Sequence, residues 1–173
     1  MTHRWALDTE FLEDGKTIEL ISIALVNLDT DEEYYAGNIT CDLGRVKADP
    51  WLAAHVVRHL PPCPSEFWRS RQTIARDLNA LFGIAGGNVG HVTPEIWADY
   101  ASYDWVALCQ IYGRMIDLPK GMPMFCMDLQ QSLRENGWEQ SELPKQDEAT
   151  KHSALEDARW LKRVIQHMEC TTA

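Results

Sequence analysis

Trp5-Ala6-Leu7-Asp8-Thr9-Glu10-Phe11 is an apolar run that closes on two carboxylates. It predicts a buried strand, and because successive side chains of a strand point to opposite faces, Asp8 and Glu10 share one face while Thr9 takes the other. Two anions that close raise each other's pKa, and burying them unpaired is costly. A cation between them removes the cost. Mg²⁺ and Mn²⁺, which bind through carboxylate oxygens and keep several waters, suit one Asp and one Glu at a strand end better than zinc does. Asp-x-Glu alone also fits a solvated strand exit, so the decision rests on residues further along the chain.

Working outward, Ile18 to Val26 is a second apolar, β-branched run and Glu33 to Ile39 a third, with turns around Gly15 and Asp29-Thr30-Asp31. These spacings predict a three-stranded antiparallel meander. Asp49-Pro50 reads as an N-cap and first helical residue for a short helix over 51–57, which Pro61-Pro62-Cys63-Pro64 ends. Ser65 is the expected cap of the next helix, with Phe67, Ile74, Leu78, Leu81 and Phe82 at helical spacing up to Gly83. A loop over 86–90, a strand over 94–100 and a helix starting near Asp104 follow. An extended piece over 124–126, a helix over 128–136, a polar loop over 137–150 and a helix over 152–168 complete the reading. A mixed α/β fold results, with helices flanking a central sheet.

At 173 residues the chain has the size of one domain, and residues 1–173 are read as such. Its five cysteines are scattered without zinc spacing and read as reduced thiols. No apolar run approaches the roughly 18 residues of a membrane span, so a cytoplasmic location and no membrane partner are expected. A net charge of −10 argues against a broad basic surface for wrapping duplex nucleic acid. It leaves room for an enzyme whose own carboxylates hold metals and whose substrate is one short strand.

Two downstream motifs complete the first. In Ser102-Tyr103-Asp104-Trp105 an acid sits at a helix start just after a strand, and in His152-Ser153-Ala154-Leu155-Glu156-Asp157 a histidine stands five residues before an aspartate. Each has an ordinary explanation by itself, as a cap or a surface residue. Together, Asp8 with Glu10, Asp104, and His152 with Asp157, in this order and context, resemble the DEDDh branch of the DEDD exonucleases on a ribonuclease H-like fold. Further stretches narrow the likeness: Thr17 to Ile23, Leu60-Pro61-Pro62, Trp68 to Gln72 and Val106 to Gln110. With them the chain resembles the small bacterial polyadenylate-specific 3′→5′ exoribonucleases of the AS type. It departs at Asp99-Tyr100, where many DEDDh enzymes carry His-Asn.

The resemblance implies a ribonuclease H-like sheet with parallel strands beside the meander, a homodimer, and a metal-dependent 3′→5′ exoribonuclease releasing nucleoside 5′-monophosphates from single-stranded RNA, with adenylate-rich 3′ ends preferred. Phosphodiester hydrolysis needs an activated water, charge stabilisation on phosphoryl oxygens and help for the leaving 3′-oxygen, which two divalent cations about 4 Å apart supply. Asp8, Glu10, Asp104 and Asp157 are the expected ligands of two Mg²⁺ or Mn²⁺ ions, and His152 the expected general base. Phe11 is either a stacking surface for the terminal base or a core residue. Glu19 is either an acceptor for an adenine amino group or a strand-end residue facing water. Arg69 and Arg71, with Arg76, His55, Arg58 and His59 nearby, either contact phosphates or pair with the abundant acids. The competing functions are a DEDDh exonuclease acting on DNA or short oligonucleotides, a ribonuclease H-type endonuclease, and a catalytically silent RNA-binding module.

Overall fold

The quoted run is the middle of a ten-residue strand, β1, Arg4–Glu13, which occupies the centre of a mixed sheet. The structure is a computed structural model and describes residues 3–84 and 93–172; the loop expected over 86–90 lies outside them. β2, Ile18–Asn27, pairs antiparallel with β1, and β3, Glu33–Asn38, antiparallel with β2. The expected meander is there. β4, Trp68–Arg69, adds parallel to β3, β5, Glu95–Ala98, adds parallel to β1, and β6, Met127–Asp128, adds parallel to β5. Among the described residues the sheet therefore has six strands in the order β4-β3-β2-β1-β5-β6.

Helices cover both faces. α1, Leu43–Ala48, and α2, Pro50–His55, lie beyond the meander; α3, Arg71–Leu81, and α4, Ser102–Tyr112, pack on the face that carries Trp5 and Leu7. α5, Leu129–Asn136, and α6, Ala154–Thr172, pack on the opposite face with Ala6, Ala24 and Val26. Alternation along β1 thus sends bulky side chains to one layer and alanine to the other, where Ala158, Leu161 and Ile165 bring α6 close to the sheet. Each fully buried large apolar side chain contributes about 1.5–3 kcal/mol. The ion pairs on α6, such as Arg159 with Glu33, are partly exposed and add little.

Four details differ from the expectations. Ser70, not Ser65, caps α3, accepting from the Thr73 amide at 3.2 Å, because Trp68 and Arg69 are drawn into the sheet edge ahead of the helix. Phe67 consequently lies outside the helix and is exposed. The extended piece sits at Met127–Asp128 instead of 124–126. The final helix begins at Ala154, so His152 precedes it.

β4 is held against β3 through Gly37, where a Cβ would stand 2.7 Å from the Trp68 ring. Gly37→Ala should destabilise the fold by about 1–3 kcal/mol through overpacking, read as a lower urea midpoint. A midpoint equal to wild type would show that Trp68 swings away freely.

Candidate active site

The sheet delivers four carboxylates to one pocket at the ends of the parallel strands β1 and β5. Asp8 and Glu10 project from β1 toward α6, whose first turn supplies Asp157. Asp104 comes from the first turn of α4, on the other face. Thr9, which alternation turns toward α4, ties the layers together: its hydroxyl and its amide donate to the same Asp104 oxygen, at 2.7 and 2.8 Å. Three consecutive residues therefore reach both faces of the sheet. Just past Glu10 the β1–β2 register slips, Glu10 facing Ser22 and Phe11 facing Leu20, so β2 carries one extra residue and the strand bends at the pocket.

His152 enters from the turn before α6. Its φ of 65° is left-handed, a conformation a non-glycine residue keeps only when its surroundings impose it. Here its amide donates to Asp157 Oδ2 at 2.9 Å, while Gln146 Nε2 donates to the other Asp157 oxygen. The imidazole packs edge-on against Trp51 of α2, with ring centres 4.8 Å apart, and lies 5.6 Å from the His55 ring. Tyr100 is the second left-handed non-glycine, at φ 51°, and it too borders the pocket.

The pocket has a volume of about 430 Å³. Its lining carries Asp8, Glu10, Glu13, Asp49, Asp99, Asp104 and Asp157 but, among the described residues, neither Lys nor Arg. Glu10, Asp157 and His152 each offer a ligand atom, all within 4.8 Å of one another. Hard oxygen donors in that number fit a divalent cation of the Mg²⁺ or Mn²⁺ kind.

Electrostatics point the same way. Burial, then the charges of Asp157 and Asp104, push Glu10 up to about 8. Burial pushes Asp104 up to about 7 despite the two Thr9 bonds that favour its ionised form, and Asp157 up to about 6 against the His152 amide and Gln146. Asp8 rises well above the ordinary carboxylate range through burial and the charges of Asp104, Glu10, Asp157 and Asp99. His152 moves down, through burial first and then His55, Lys151, Arg58 and His59. The set is short of positive charge when it is fully ionised.

All five residues expected to carry chemistry, Asp8, Glu10, Asp104, His152 and Asp157, line this pocket. Phe11 lines it too, with Tyr103 stacked on its ring at 5.4 Å and an interplanar angle of 7°. Glu19 lies outside the lining, accepting from the Asp42 amide at 3.0 Å and facing Arg45 at 3.4 Å. Arg69 and Arg71 are outside it as well, at the β4 edge and the start of α3. Sequence reasoning missed Trp51, Tyr103 and Asp99. Trp51 sits among helical residues and reads as core, yet it is half exposed and bounds the pocket. Tyr103 precedes Asp104 directly, and that adjacency was the available signal. Asp99 stood out only as a departure from a motif; its carboxylate accepts from Gln130 at 2.7 Å beside Asp8.

Comparison with known proteins adds three findings. A family model described as the 3′-5′ exoribonuclease Rv2179c-like domain matches residues 3–168. The chain is 42% identical over 158 residues to the 3′-5′ exoribonuclease Rv2179c of Mycobacterium tuberculosis strain H37Rv and to the 3′-5′ exoribonuclease MT2234.1 of strain CDC 1551, covering 90% of this chain and 87% of each relative. A crystal structure of a full-length 3′-exonuclease superposes with a TM-score of 0.54 at 11% identity, covering 99% of this chain and 84% of that one. The last likeness concerns the fold alone.

The raised carboxylates have a thermodynamic consequence. Their folded-state values, about 6 to 8, lie above the ordinary 3.8 to 4.5, so between those limits the folded state holds more protons than the unfolded one. Stability then falls as pH rises through that window; the lowered His152 opposes this with a single group. In EDTA, the urea midpoint should drop from pH 5 to pH 8, and Asp104→Asn should flatten the slope. A midpoint that rises over the same range would contradict the buried cluster.

Proposed function

The chain belongs to the Rv2179c-like 3′-5′ exoribonuclease family, and from that premise we propose that it shortens single-stranded RNA from the 3′ end to nucleoside 5′-monophosphates, preferring adenylate-rich ends. The proposal includes two divalent cations, His152 as general base, and residues 1–173 as one catalytic domain. One observation carries it: Asp8, Glu10, Asp104, Asp157 and His152, far apart in sequence, line a single pocket whose carboxylates are held above their ordinary pKa by burial and then by neighbouring acids.

Asp8, Glu10, Asp104 and Asp157 would hold the cations. When bound, these would supply Lewis-acid stabilisation of the phosphoryl oxygens and of the leaving 3′-oxygen and would ease deprotonation of a water. The chain's own groups do the rest. His152, with its proton affinity lowered, is neutral near pH 7 and ready to accept a proton from the attacking water. The water gives its proton to His152 and adds to phosphorus through its oxygen, the P–O3′ bond breaks, and the departing oxygen takes a proton from solvent to become the new 3′-hydroxyl, while His152 returns its own to solvent. The His152 backbone bond to Asp157 keeps the base and one ligand in fixed relation. Thr9 keeps one oxygen of Asp104 occupied and leaves the other for the site. Half-exposed Tyr103, backed by Phe11, offers a face for the terminal base, a contact that needs no positive charge.

Adenylate preference rests on the family resemblance and on purine stacking at this aromatic wall. Glu19 is the candidate adenine reader, although its partners here are Arg45 and the Asp42 amide. Preference that survives Glu19→Ala would assign selection to stacking.

With 5′-labelled RNA, Mg²⁺ or Mn²⁺ should give a ladder shortening from the 3′ end, fastest on poly(A), slower on mixed sequence and on matched DNA, and EDTA should stop it. Asp104→Ala should abolish turnover, and His152→Ala should lower kcat by about 10²–10⁴. Wild-type rates in Asp104→Ala, or internal cuts in a circular RNA, would refute the assignment.

A further inference from the structure

Beside the candidate active site, and separated from it by the His152 turn, lies a second hollow of about 210 Å³. It is lined by Tyr35, His59, Pro61, Phe67, Ser153 and Leu155, and its surface is mostly apolar. Ser153 follows His152 directly, so the hollow and the active site share one wall. Phe67 stands at 46% exposure, with its ring 6.1 Å from the Tyr35 ring and at 66° to it. The loss of Phe67 from helix α3 to the approach of β4 is what puts an aromatic side chain here.

The rim of this hollow carries positive charge, which is scarce on a chain of net charge −10. Arg58 donates from Nε to His59 Nε2 at 2.9 Å, and the His59 imidazole also hydrogen-bonds the backbone of Lys151. Arg58, His59 and Lys151 all act on His152 electrostatically, which places them around the turn between the two cavities. Among the described residues, no carboxylate lies within salt-bridge distance of exposed Arg58. Lys151 pairs through its side chain with Glu148, and the two line a separate cavity beside Asp157.

We propose that this hollow is an upstream nucleotide subsite: an unpaired base on the 5′ side of the scissile bond seats against Phe67 and Tyr35, and Arg58 holds the phosphate that links it to the active site. The inference rests on the reading of the chain as an exonuclease of single-stranded RNA and adds where the strand runs after leaving the reactive centre. Charge complementarity selects the occupant. The active-site pocket has no Lys or Arg among its described lining residues, so cations on its rim are the contacts available to the rest of an RNA backbone. A guanidinium with free N–H groups suits a phosphate, and exposed aromatic faces accept any base without a hydrogen-bond code.

Equilibrium binding tests the subsite apart from turnover. Anisotropy of a 5′-fluorescein hexa-adenylate in EDTA, over a salt series, would be compared for wild type, Phe67→Ala and Arg58→Ala. Phe67→Ala should weaken binding roughly tenfold by removing a stacking surface, without changing the salt slope. Arg58→Ala should weaken binding and cut the slope of log K against log salt by about 0.7, one phosphate contact on a single strand. In turnover with Mg²⁺, the ratio of kcat/KM on the hexamer to that on the dimer should fall in both variants. Unchanged affinity in both, an unchanged slope in Arg58→Ala, or an unchanged length ratio would overturn the subsite. So would a Phe67→Ala protein that binds like wild type but shifts oligomeric state, since the apolar face would then belong to a second copy of the chain. A wild-type protein that binds RNA and never hydrolyses it would sink the proposed function while leaving the binding test intact.

Discussion

Thr9 donates two hydrogen bonds to one oxygen of Asp104, and this link between the central strand and α4 is what the site depends on. Asp8 and Glu10 face α6 and cannot be reached from α4 through their own strand positions. The residue between them can, because a strand turns alternate side chains to opposite faces. Thr9 therefore anchors the third carboxylate 95 residues downstream, while α6, packed on Ala6 and Ala24, brings the fourth. Small residues under α6 let that helix sit close enough for Asp157 to join Glu10 within reach of one ion.

That arrangement runs against the stability of the isolated protein. Carboxylates packed together and partly desolvated each raise the others' proton affinity, and the backbone of His152 and of Tyr100 is held in a left-handed form at the pocket wall. Conformations and charges of this kind persist only where the surrounding fold over-determines them. The rest of the molecule supplies that constraint through two apolar layers that enclose β1 on both faces. A site short of positive charge is also one that a cation can use, so on the proposed function the destabilised elements and the reactive ones would be the same residues.

An acidic enzyme must still hold an anionic polymer. Broad electrostatic attraction is not available at a net charge of −10. On the proposed function, local means would replace it: aromatic faces at Tyr103 over Phe11 and at Trp51, and the cations near the His152 turn. Such a surface favours a single strand with unstacked bases over a duplex, whose bases have no free faces to offer.

Much of this was legible in the chain. Alternation along Trp5 to Phe11 placed Asp8 with Glu10 and opposed Thr9 to them, the apolar runs foretold the meander, and the order of acids with His152 pointed to the family, because strand periodicity and motif spacing are local properties. Other features were decided only in three dimensions. The two-residue strand at Trp68–Arg69 exists because β3 offers an edge, and no local pattern of two residues announces a strand. The turn that removes His152 from α6 depends on Asp157 capping its amide five residues on and on Trp51, 101 residues upstream, packing against its ring. Folding gives Glu19 the Asp42 amide and Arg45 as neighbours and leaves Arg69 and Arg71 outside the pocket lining, which sequence alone left open. The sequence by itself determined on which face of a strand Asp8, Thr9 and Glu10 lie; tertiary packing alone decided which of the charged and aromatic residues share a pocket, since that depends on distances between elements that no periodicity encodes.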